Sequence, residues 1–333
     1  MDFRTIVSLD WQGERINHSH SLIFFGSCFA DEIGGVFKAS KFDTLVNPFG
    51  VLYNPLSIAE AINRSVSNTP FQELELIKSG NLYHSFSHHS AFSHTNKSYM
   101  LQTINSSLTN TCQHLKSANF LFVTFGTAWV YELVESGKVV ANCHKLAAKN
   151  FSRRRVSVEE IAECFSSTLK TLFAVNPNIK IVLTVSPIRH LKDGIHENSL
   201  SKSTLLLACE EIQNRFRERV SYLPTYEIVL DELRDYRFYA DDMAHPSKKA
   251  VEYIWERIEN EVISPDSINI IREWSKIRQG ISHRLMSADT EGYKAFLNTL
   301  LKNATTFANK YKHIDIEQEI QEIQDIKNKI NNV

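Results

Sequence analysis

The segment FFGSCFA, residues 24–30, places a glycine, a hydroxyl and a thiol side by side. It follows the apolar run Ser21-Leu22-Ile23 and leads into DEIGGVF, so we predict that a strand ends here and a helix begins. The first turn of a helix favours negative charge, because its N–H groups are unpaired and the dipole is positive there. Three interpretations are open. Ser27 is a nucleophile, Cys28 is a nucleophile, or Ser27 only caps the helix.

Short apolar runs alternate with longer helical patterns along most of the chain. The predicted strands are Leu22–Phe25, Phe42–Val46, Phe120–Phe125, Lys180–Val185 and Tyr226–Leu230. The predicted helices are Asp31–Lys38, Leu56–Arg64, Ile104–Leu115, Val158–Phe173, Lys202–Val220 and Lys248–Glu261. Continuous apolar strands are typical of parallel sheets covered on both faces. The order therefore favours a three-layer α/β/α domain with a mostly parallel sheet.

The strand exits are the places where we expect functional residues, because ligands bind at the carboxyl ends of parallel strands. The first four exits read FGSC, NPFG, FGTAW and SPIRH. The connection from about residue 68 to residue 100 is long and His-rich, which predicts a hairpin or an active-site flap. Its histidines, His84 among them, are either metal ligands or residues of a strand lining a cleft. We favour substrate contact.

Composition excludes several classes of protein. The chain has 333 residues, 43% hydrophobic and 23% charged, which is typical of a globular protein with a substantial core. Its formal net charge of -1 provides no field that would attract nucleic acid or an anionic membrane. The amino-terminal segment has no apolar h-region and no apolar run approaches roughly 20 residues, so we expect neither a secretory signal nor a membrane span. Five scattered cysteines without a CxxC pair favour a reducing cytoplasm, and we expect no metal or cofactor.

The last seventy or so residues differ from the rest of the chain. After Ser264-Pro265 the pattern is helical and polar, so we divide the chain into an α/β domain, residues 1–263, and a helical extension, residues 264–333. Near the carboxyl terminus one apolar stripe is formed by Ile316, Ile320, Ile323 and Ile330. It predicts either a helix docked on the domain or a homodimer contact through the C-terminal helices. The homodimer is less favoured because fewer than three heptads are present.

A second segment with catalytic potential is ADDMAHPS, residues 240–247. Asp242 and His245 are three residues apart, so in a turn the carboxylate is able to accept the proton of one imidazole nitrogen. That contact fixes the tautomer and leaves the other nitrogen as a base. Pro246 suits the first turn of the helix that follows. Alternatively, Asp242 only caps that helix and His245 is a surface residue.

Six blocks in order resemble the GSCFA family, a branch of the SGNH hydrolase superfamily. They are FGSCFA, NPFG-x-LYNP, FGTAWVYE, CHK, SPIRH-x-KDG and LRDYRFYADDMAHPS, and the resemblance covers roughly residues 5–260. It implies a flavodoxin-like α/β/α fold with a Ser-His-Asp site. Ser27 would be the nucleophile, His245 the base and Asp242 its orienting partner, and Gly50 would donate an N–H to the oxyanion.

The third block departs from the pattern of this superfamily. Its usual G-x-N is here Gly126-Thr127-Ala128, and Ala128 has no side-chain donor for the oxyanion. Losing one such donor costs roughly a hundredfold or more in rate. Thr127 is our first candidate to replace the asparagine, because it lies on the same turn. Asn47 and Asn54 are the others.

Several further residues allow two interpretations. Cys28 would be a nucleophile if the helix terminus lowered its pKa, but the residue after the nucleophile in this superfamily usually packs against the core, which we favour. Arg189 and His190 leave the fourth strand and are expected to orient an anionic or sugar group, unless Arg189 only pairs with Asp193. With Asn54 and His84 they are the predicted substrate-binding residues. We expect the run of arginines 153–155 to be a solvated face.

The predicted function is a serine esterase-like hydrolase whose substrate is a small-molecule or carbohydrate ester, for example an O-acetyl group on a sugar. Two alternatives stay open. An acyltransferase would use the same acyl-enzyme with a sugar hydroxyl in place of water. A non-catalytic binding or assembly module is favoured by Ala128 and by the helical tail.

Overall fold

A parallel sheet forms the centre of the computed structural model, which describes residues 4–282 and 290–331. The strands are β1 Ser21–Gly26, β2 Asp43–Val46, β3 Leu76–Ser79, β4 Leu82–Ser85, β5 Phe120–Phe125, β6 Trp129–Leu133, β7 Val139–Val140, β8 Phe151–Arg155, β9 Lys180–Val185 and β10 Val220–Tyr222. The central sheet has the order β2-β1-β5-β9-β10, and every pairing within it is parallel. Counted in chain order this is 2-1-3-4-5, the flavodoxin-like order.

Helices cover both faces of this sheet. They are α1 Cys28–Ala39, α2 Pro55–Ser67, α3 Lys97–Ser117, α4 Val158–Val175, α5 Ile195–Arg215, α6 Thr225–Glu227, α7 Lys248–Val262, α8 Pro265–Ser282, α9 Thr290–Lys310 and α10 Glu317–Asn331. One apolar cluster joins the sheet to α2, α3, α4 and α5, and a second joins it to α1 and α7. The predicted α/β/α architecture is therefore confirmed.

Strand β1 shows how the sequence builds these two layers. Ile23 and Phe25 belong to the first cluster, whereas Leu22 and Phe24 belong to the second. Successive side chains of a strand point to opposite faces, so an uninterrupted apolar run supplies both layers. Phe24 also stacks on Phe122 of the neighbouring β5, with ring centroids 4.5 Å apart.

Two predicted elements at the end of the sheet are wrong. The run Tyr226–Leu230 is not a strand: α6 and a π-helical turn, Ile228–Glu232, occupy it. The fifth strand is instead the three-residue β10, which begins at Val220, the last residue of the predicted helix Lys202–Val220, whereas the observed helix ends at Arg215. A short apolar run fits a buried helix as well as a strand, and periodicity alone does not separate the two.

Two small antiparallel sheets lie outside the central one. Strands β3 and β4 form a hairpin within the His-rich connection, as predicted. Strands β7, β6 and β8 form a second sheet between β5 and α4, which the sequence analysis missed. The run of arginines 153–155 lies on β8 and is not merely a solvated face, because Arg154 pairs with Glu132 and with Glu160.

The helices after Pro265 build an apolar cluster of their own. Trp274 of α8, Phe307 of α9 and Ile323 of α10 are buried in it, as is Ile316, which precedes α10. Trp274 also anchors this region to the α/β layers, because its indole N–H donates to the carbonyl of Ala39 at 2.8 Å. Of the apolar stripe near the carboxyl terminus, Ile316 and Ile323 are thus buried within the chain, and Ile320 and Ile330 are partly buried against the same cluster. The domain boundary and a homodimer through these helices stay predictions. None of the described helices is long and apolar enough to cross a bilayer.

Candidate active site

A cavity of about 640 Å³ opens at the carboxyl edge of the central sheet. The turns after β1, β5 and β9 contribute Ser27, Thr127 and Ser186 to its lining, and His245 borders it from the loop before α7. This volume lies within the range of roughly 300–1,000 Å³ that is typical of small-molecule sites. The position is the one that parallel α/β sheets use for ligands.

Gly26 allows the sharp turn that presents Ser27. Its φ of +146° is rarely adopted by side-chain-bearing residues, and an added Cβ would lie 2.2 Å from the carbonyl oxygen of Thr124. The Ser27 N–H donates to that same oxygen at 3.2 Å. Ser27 is 2% exposed, and its Oγ accepts the N–H of Phe29 at 3.3 Å. Ser27 is therefore the N-cap of α1 and also faces the cavity, so the two interpretations of this residue are compatible.

Asp242 and His245 form the contact that their spacing predicts. The Asp242 Oδ2 lies 2.5 Å from His245 Nδ1, and its Oδ1 accepts the N–H groups of Ala244 and His245 at 2.9 Å each. The backbone N–H of His245, followed by that of Ala244, lowers the pKa of Asp242 to about 2, so this carboxylate is ionised at neutral pH. With Nδ1–H donated to Asp242, Nε2 is the nitrogen that remains as a base.

Ser27 and His245 line the same cavity, but no hydrogen bond between them is present in the described residues. Catalytic hydrogen bonds are often long in unliganded enzymes and tighten when substrate binds. The Ser27 hydroxyl is held by the turn, whereas the His245 side chain is 45% exposed. Closer approach of the two groups would therefore come from the loop that carries His245.

Cys28 lies next to Ser27 but has the properties of a packing residue. Burial raises the pKa of its thiol, and its Sγ is 3.6 Å from the hydroxyl of Tyr53. A thiol with a raised pKa is protonated at neutral pH and is a weak nucleophile. The electrostatics of the site therefore favour Ser27 over Cys28.

Gly50 is not placed to bind an oxyanion, which corrects the role implied by the resemblance. Its N–H donates to the carbonyl of Asn47 at 2.7 Å, and the residue does not line the cavity. Its φ is +73°, and a Cβ would lie 2.4 Å from the Cβ of His89. Gly50 therefore closes a tight turn. The Asn47 side chain is also engaged in structural hydrogen bonds, because its Oδ1 accepts the N–H of Gly26 and its Nδ2 donates to Asp31.

Asn54 and Thr127 are the candidate oxyanion donors that do line the cavity. The Asn54 side chain caps α2, since its Oδ1 accepts the Ser57 N–H and its Nδ2 donates to the Ser57 hydroxyl. One amide hydrogen of Nδ2 has no partner among the described residues. Thr127 Oγ1 accepts the N–H of Trp129 and lies 3.1 Å from the Ser201 hydroxyl. Its own proton is available only when Ser201 is the donor, so Asn54 is the better placed of the two.

Lys202 is a residue of this region that the sequence analysis missed. It is 1% exposed, and its Nζ donates to the carbonyls of Gly126 at 2.6 Å and Ser186 at 2.7 Å. It thus ties together the turns after β5 and β9. Burial lowers its pKa to about 7. The signal was present: Lys202 falls on the stripe Asn198, Ser201, Leu205, Ala208 and Ile212, the buried face of α5.

The predicted substrate-binding residues divide into two groups. Arg189 and His190 line the cavity, and burial, reinforced by the charge of Lys202, lowers the pKa of His190 to about 4. His84 does not line it, because its Nδ1 contacts the Ser93 hydroxyl and its ring stacks on His144. In the part of the chain that the structure describes, no three His, Cys, Asp or Glu residues are grouped as metal ligands.

Comparison with known proteins confirms the family. The model described as the GSCFA family matches residues 21–258, and that described as the GSCFA domain protein, C-terminal domain, matches residues 274–328. Because the first match covers more than half of the chain, the chain belongs to the GSCFA family. No curated protein matches this sequence.

Two solved structures are weakly similar. One is a protein of Streptococcus pneumonia provisionally named a platelet activating factor, with a TM-score of 0.38 and 10% identity over 73% of this chain and 84% of that chain. The other is an acetyl xylan esterase from the rumen bacterium Butyrivibrio proteoclasticus, with a TM-score of 0.36 and 12% identity over 73% of this chain and 64% of that chain. At these TM-scores we draw nothing about function from either.

Proposed function

We propose that this member of the GSCFA family is a serine ester hydrolase in which Ser27 is the nucleophile, His245 the base and Asp242 its orienting carboxylate. The observation that carries the proposal is the position of Ser27 and the Asp242-paired His245 on one cavity at the carboxyl edge of the sheet. A serine is a poor nucleophile unless a base accepts its proton, and His245 is the base that borders the same space.

The reaction proceeds through an acyl-enzyme. Nε2 of His245 accepts the hydroxyl proton as Ser27 Oγ attacks the carbonyl carbon of the ester. The tetrahedral intermediate collapses when the imidazolium returns the proton to the leaving oxygen, so the alcohol departs and the acyl group stays on Oγ. Water, deprotonated by His245, then attacks the acyl carbon and releases the carboxylic acid and Ser27.

The oxyanion of both intermediates requires donors near Ser27. We assign this role to the uncommitted amide hydrogen of Asn54, with the hydroxyl of Thr127 as the second donor. The Asn54 amide is fixed by its two contacts to Ser57, so it would not reorganise as charge develops. Asn54 would then replace the asparagine that is absent at Ala128.

The proposed substrate is an ester with a small acyl group, for example acetyl on a carbohydrate. Trp129 and Tyr131 line the cavity beside the turn that follows β5. Aromatic faces of this kind suit the apolar face of a sugar ring. The fold itself does not select a substrate, so the choice rests on this lining.

A fluorophosphonate probe tests the nucleophile directly. We expect labelling of the wild-type protein and of Cys28→Ala, and none of Ser27→Ala. Labelling that survives in Ser27→Ala but disappears in Cys28→Ala would assign the nucleophile to the thiol. No labelling of any form, together with no hydrolysis of 4-nitrophenyl acetate, would reject the hydrolase in favour of a binding module.

A further inference from the structure

The lining of the active-site cavity is strongly cationic in a chain that is nearly neutral. Its charged residues comprise four cations, Lys145, Arg153, Arg189 and Lys192, and one carboxylate, Asp193. The whole chain, in contrast, has 37 basic and 38 acidic residues. A concave surface with an excess of one charge concentrates ligands of the opposite charge.

The single carboxylate does not neutralise this excess. Asp193 pairs with Arg153, whose guanidinium lies over the ring of Trp129 at 4.2 Å and over that of Tyr131 at 5.4 Å. The pair therefore forms part of an aromatic wall of the cavity. Three cations, Lys145, Arg189 and Lys192, have no carboxylate partner among the described residues.

Arg189 is the best placed of the three. Its backbone N–H donates to the carbonyl of Ala244, directly before His245, so the residue is tied to the catalytic loop. Its guanidinium donates to the Tyr239 hydroxyl at 2.9 Å and lies over the rings of Tyr239 and Tyr236 at 4.2 and 5.3 Å. The two tyrosines fix its orientation without neutralising its charge. A guanidinium held in this way has donors available for a carboxylate, phosphate or sulfate.

We propose that the substrate is an anionic ester, whose carboxylate, phosphate or sulfate is bound by Arg189, with Lys145 and Lys192 adding to the attraction. This rests on the proposed hydrolase function and specifies its substrate class. In this arrangement the scissile carbonyl lies at Ser27, the anion lies on the Arg189 side of the cavity, and the ring that carries it packs against the wall formed by Trp129, Tyr131 and the Arg153 guanidinium.

Paired acetate esters test this inference. The substrates are 4-acetoxybenzoate, 4-acetoxybenzenesulfonate, 4-acetoxyphenyl phosphate and the neutral methyl 4-acetoxybenzoate. The methyl ester has a better leaving phenol than 4-acetoxybenzoate, so a preference for the benzoate does not come from intrinsic reactivity. We expect kcat/KM to be about 10- to 100-fold higher for at least one anionic ester, the size of a charge-assisted hydrogen bond. The anionic ester with the highest kcat/KM identifies the anion that the site binds.

The ratio of the anionic to the neutral kcat/KM is the readout for variants. We expect Arg189→Gln to lower it about tenfold or more, Arg189→Lys to restore part of it, and Arg155→Gln to leave it unchanged. Arg155 is the matched control. It lies on β8, as Arg153 of the cavity lining does, but it pairs with Glu197 outside the lining. If Arg189→Gln does not fold, the exposed double variant Lys145→Gln/Lys192→Gln is expected to lower the ratio several-fold.

Salt gives an independent readout on the unmodified protein. Between about 0.02 and 0.5 M ionic strength the ratio should fall several-fold, since the Debye length shortens from roughly 20 Å to 4 Å. The ratio could instead be near one and change neither with salt nor with Arg189→Gln, while hydrolysis still requires Ser27. That result would overturn the anionic substrate but not the proposed hydrolase function. If no ester is hydrolysed and the fluorophosphonate does not label the protein, the proposed hydrolase function is rejected. Calorimetric binding of 4-acetoxybenzoate but not its methyl ester to Ser27→Ala would then still support an anion site, and equal or no binding would overturn it.

Discussion

Replacing Gly26 by alanine should be among the most destabilising single-methyl substitutions in this chain. A Cβ at this position would lie 2.2 Å from the carbonyl oxygen of Thr124 and 2.9 Å from its carbonyl carbon. Both are backbone atoms of β5, the strand at the centre of the sheet, and Gly26 and Thr124 are paired residues of β1 and β5. The clash is therefore not relieved by rotating a side chain.

Two terms set the size of the effect. The φ of +146° costs a side-chain-bearing residue about 1–3 kcal/mol, and overpacking a buried site costs about 1–3 kcal/mol. Together they lower the free energy of unfolding by about 2–6 kcal/mol, out of the 5–15 kcal/mol that is typical of a folded domain. The movement that relieves the clash also displaces Ser27, so ester hydrolysis should fall with stability.

Two glycines of α1 provide matched controls for the same substitution. At Gly34 a Cβ would lie 2.8 Å from a methyl group of Val46, whereas at Gly35 nothing lies within 4 Å. Gly35→Ala should therefore stabilise the protein by up to about 1 kcal/mol, through helix propensity alone. Gly34→Ala should fall between Gly26→Ala and Gly35→Ala.

Urea unfolding followed by circular dichroism measures the series, with the midpoint as the readout and the slope as a check that the unfolded state is unchanged. The expected order of stability is Gly35→Ala, wild type, Gly34→Ala and Gly26→Ala. A Gly26→Ala protein within about 0.5 kcal/mol of wild type would refute the argument that this turn requires glycine.

Three further predictions concern the site. Asp242→Asn should lower kcat/KM for 4-nitrophenyl acetate by roughly 10²–10⁴-fold, whereas the neighbouring Asp241→Asn should not, and equal effects would contradict the pairing with His245. Asn54→Asp keeps the acceptor for the Ser57 N–H but loses the donor, so kcat should fall about a hundredfold or more with the urea midpoint nearly unchanged, and retained kcat would remove Asn54 from the oxyanion site. For Lys202 the folded pKa of about 7 lies below the unfolded value of 10.5, so the unfolded state binds the extra proton between these values and stability rises with pH. Relative to Lys202→Met, wild type should gain about 2 kcal/mol of unfolding free energy from pH 7 to pH 9, and no gain would contradict the burial of a titrating amine.

The central strands could be predicted because local sequence is sufficient for them. β5 and β9 match the predicted strands residue for residue, since six consecutive apolar or β-branched positions in β5, and five after Lys180 in β9, leave few alternatives. The three residues of β10 are too few to give a periodic pattern. The helical segment at 225–232 is rich in apolar and β-branched residues, yet tertiary packing rather than β-propensity decided its structure.

The same distinction applies to the site. The Asp242–His245 contact spans three residues, so its spacing was enough to predict it. The assignment of Gly50 failed because whether an N–H is available depends on the turn that the residue closes. Arg153 was taken for a solvated residue because nothing local shows that β8 folds back beside β6 and brings it to the cavity.

The turns at the base of the cavity are linked to one another by a small number of hydrogen bonds. Asn47 accepts the N–H of Gly26, the carbonyl of Tyr53 accepts the N–H groups of both Gly126 and Thr127, and Lys202 joins the carbonyl of Gly126 to that of Ser186. Since these groups are buried, breaking any one contact leaves an unsatisfied polar group, at a cost of about 1–3 kcal/mol.

Because these hydrogen bonds link the turns, they hold Ser27 in a fixed position in the site. The loop that carries His245 is held differently, because Asp242 and His245 are about half exposed and their contact is made within the loop itself. Its ties to the α/β layers in this region include the Arg189 N–H to the Ala244 carbonyl. A substrate anion on Arg189 would therefore act on the side of the site where the Asp242–His245 pair is about half exposed. In that arrangement, the group that recognises the substrate also sets the position of the base.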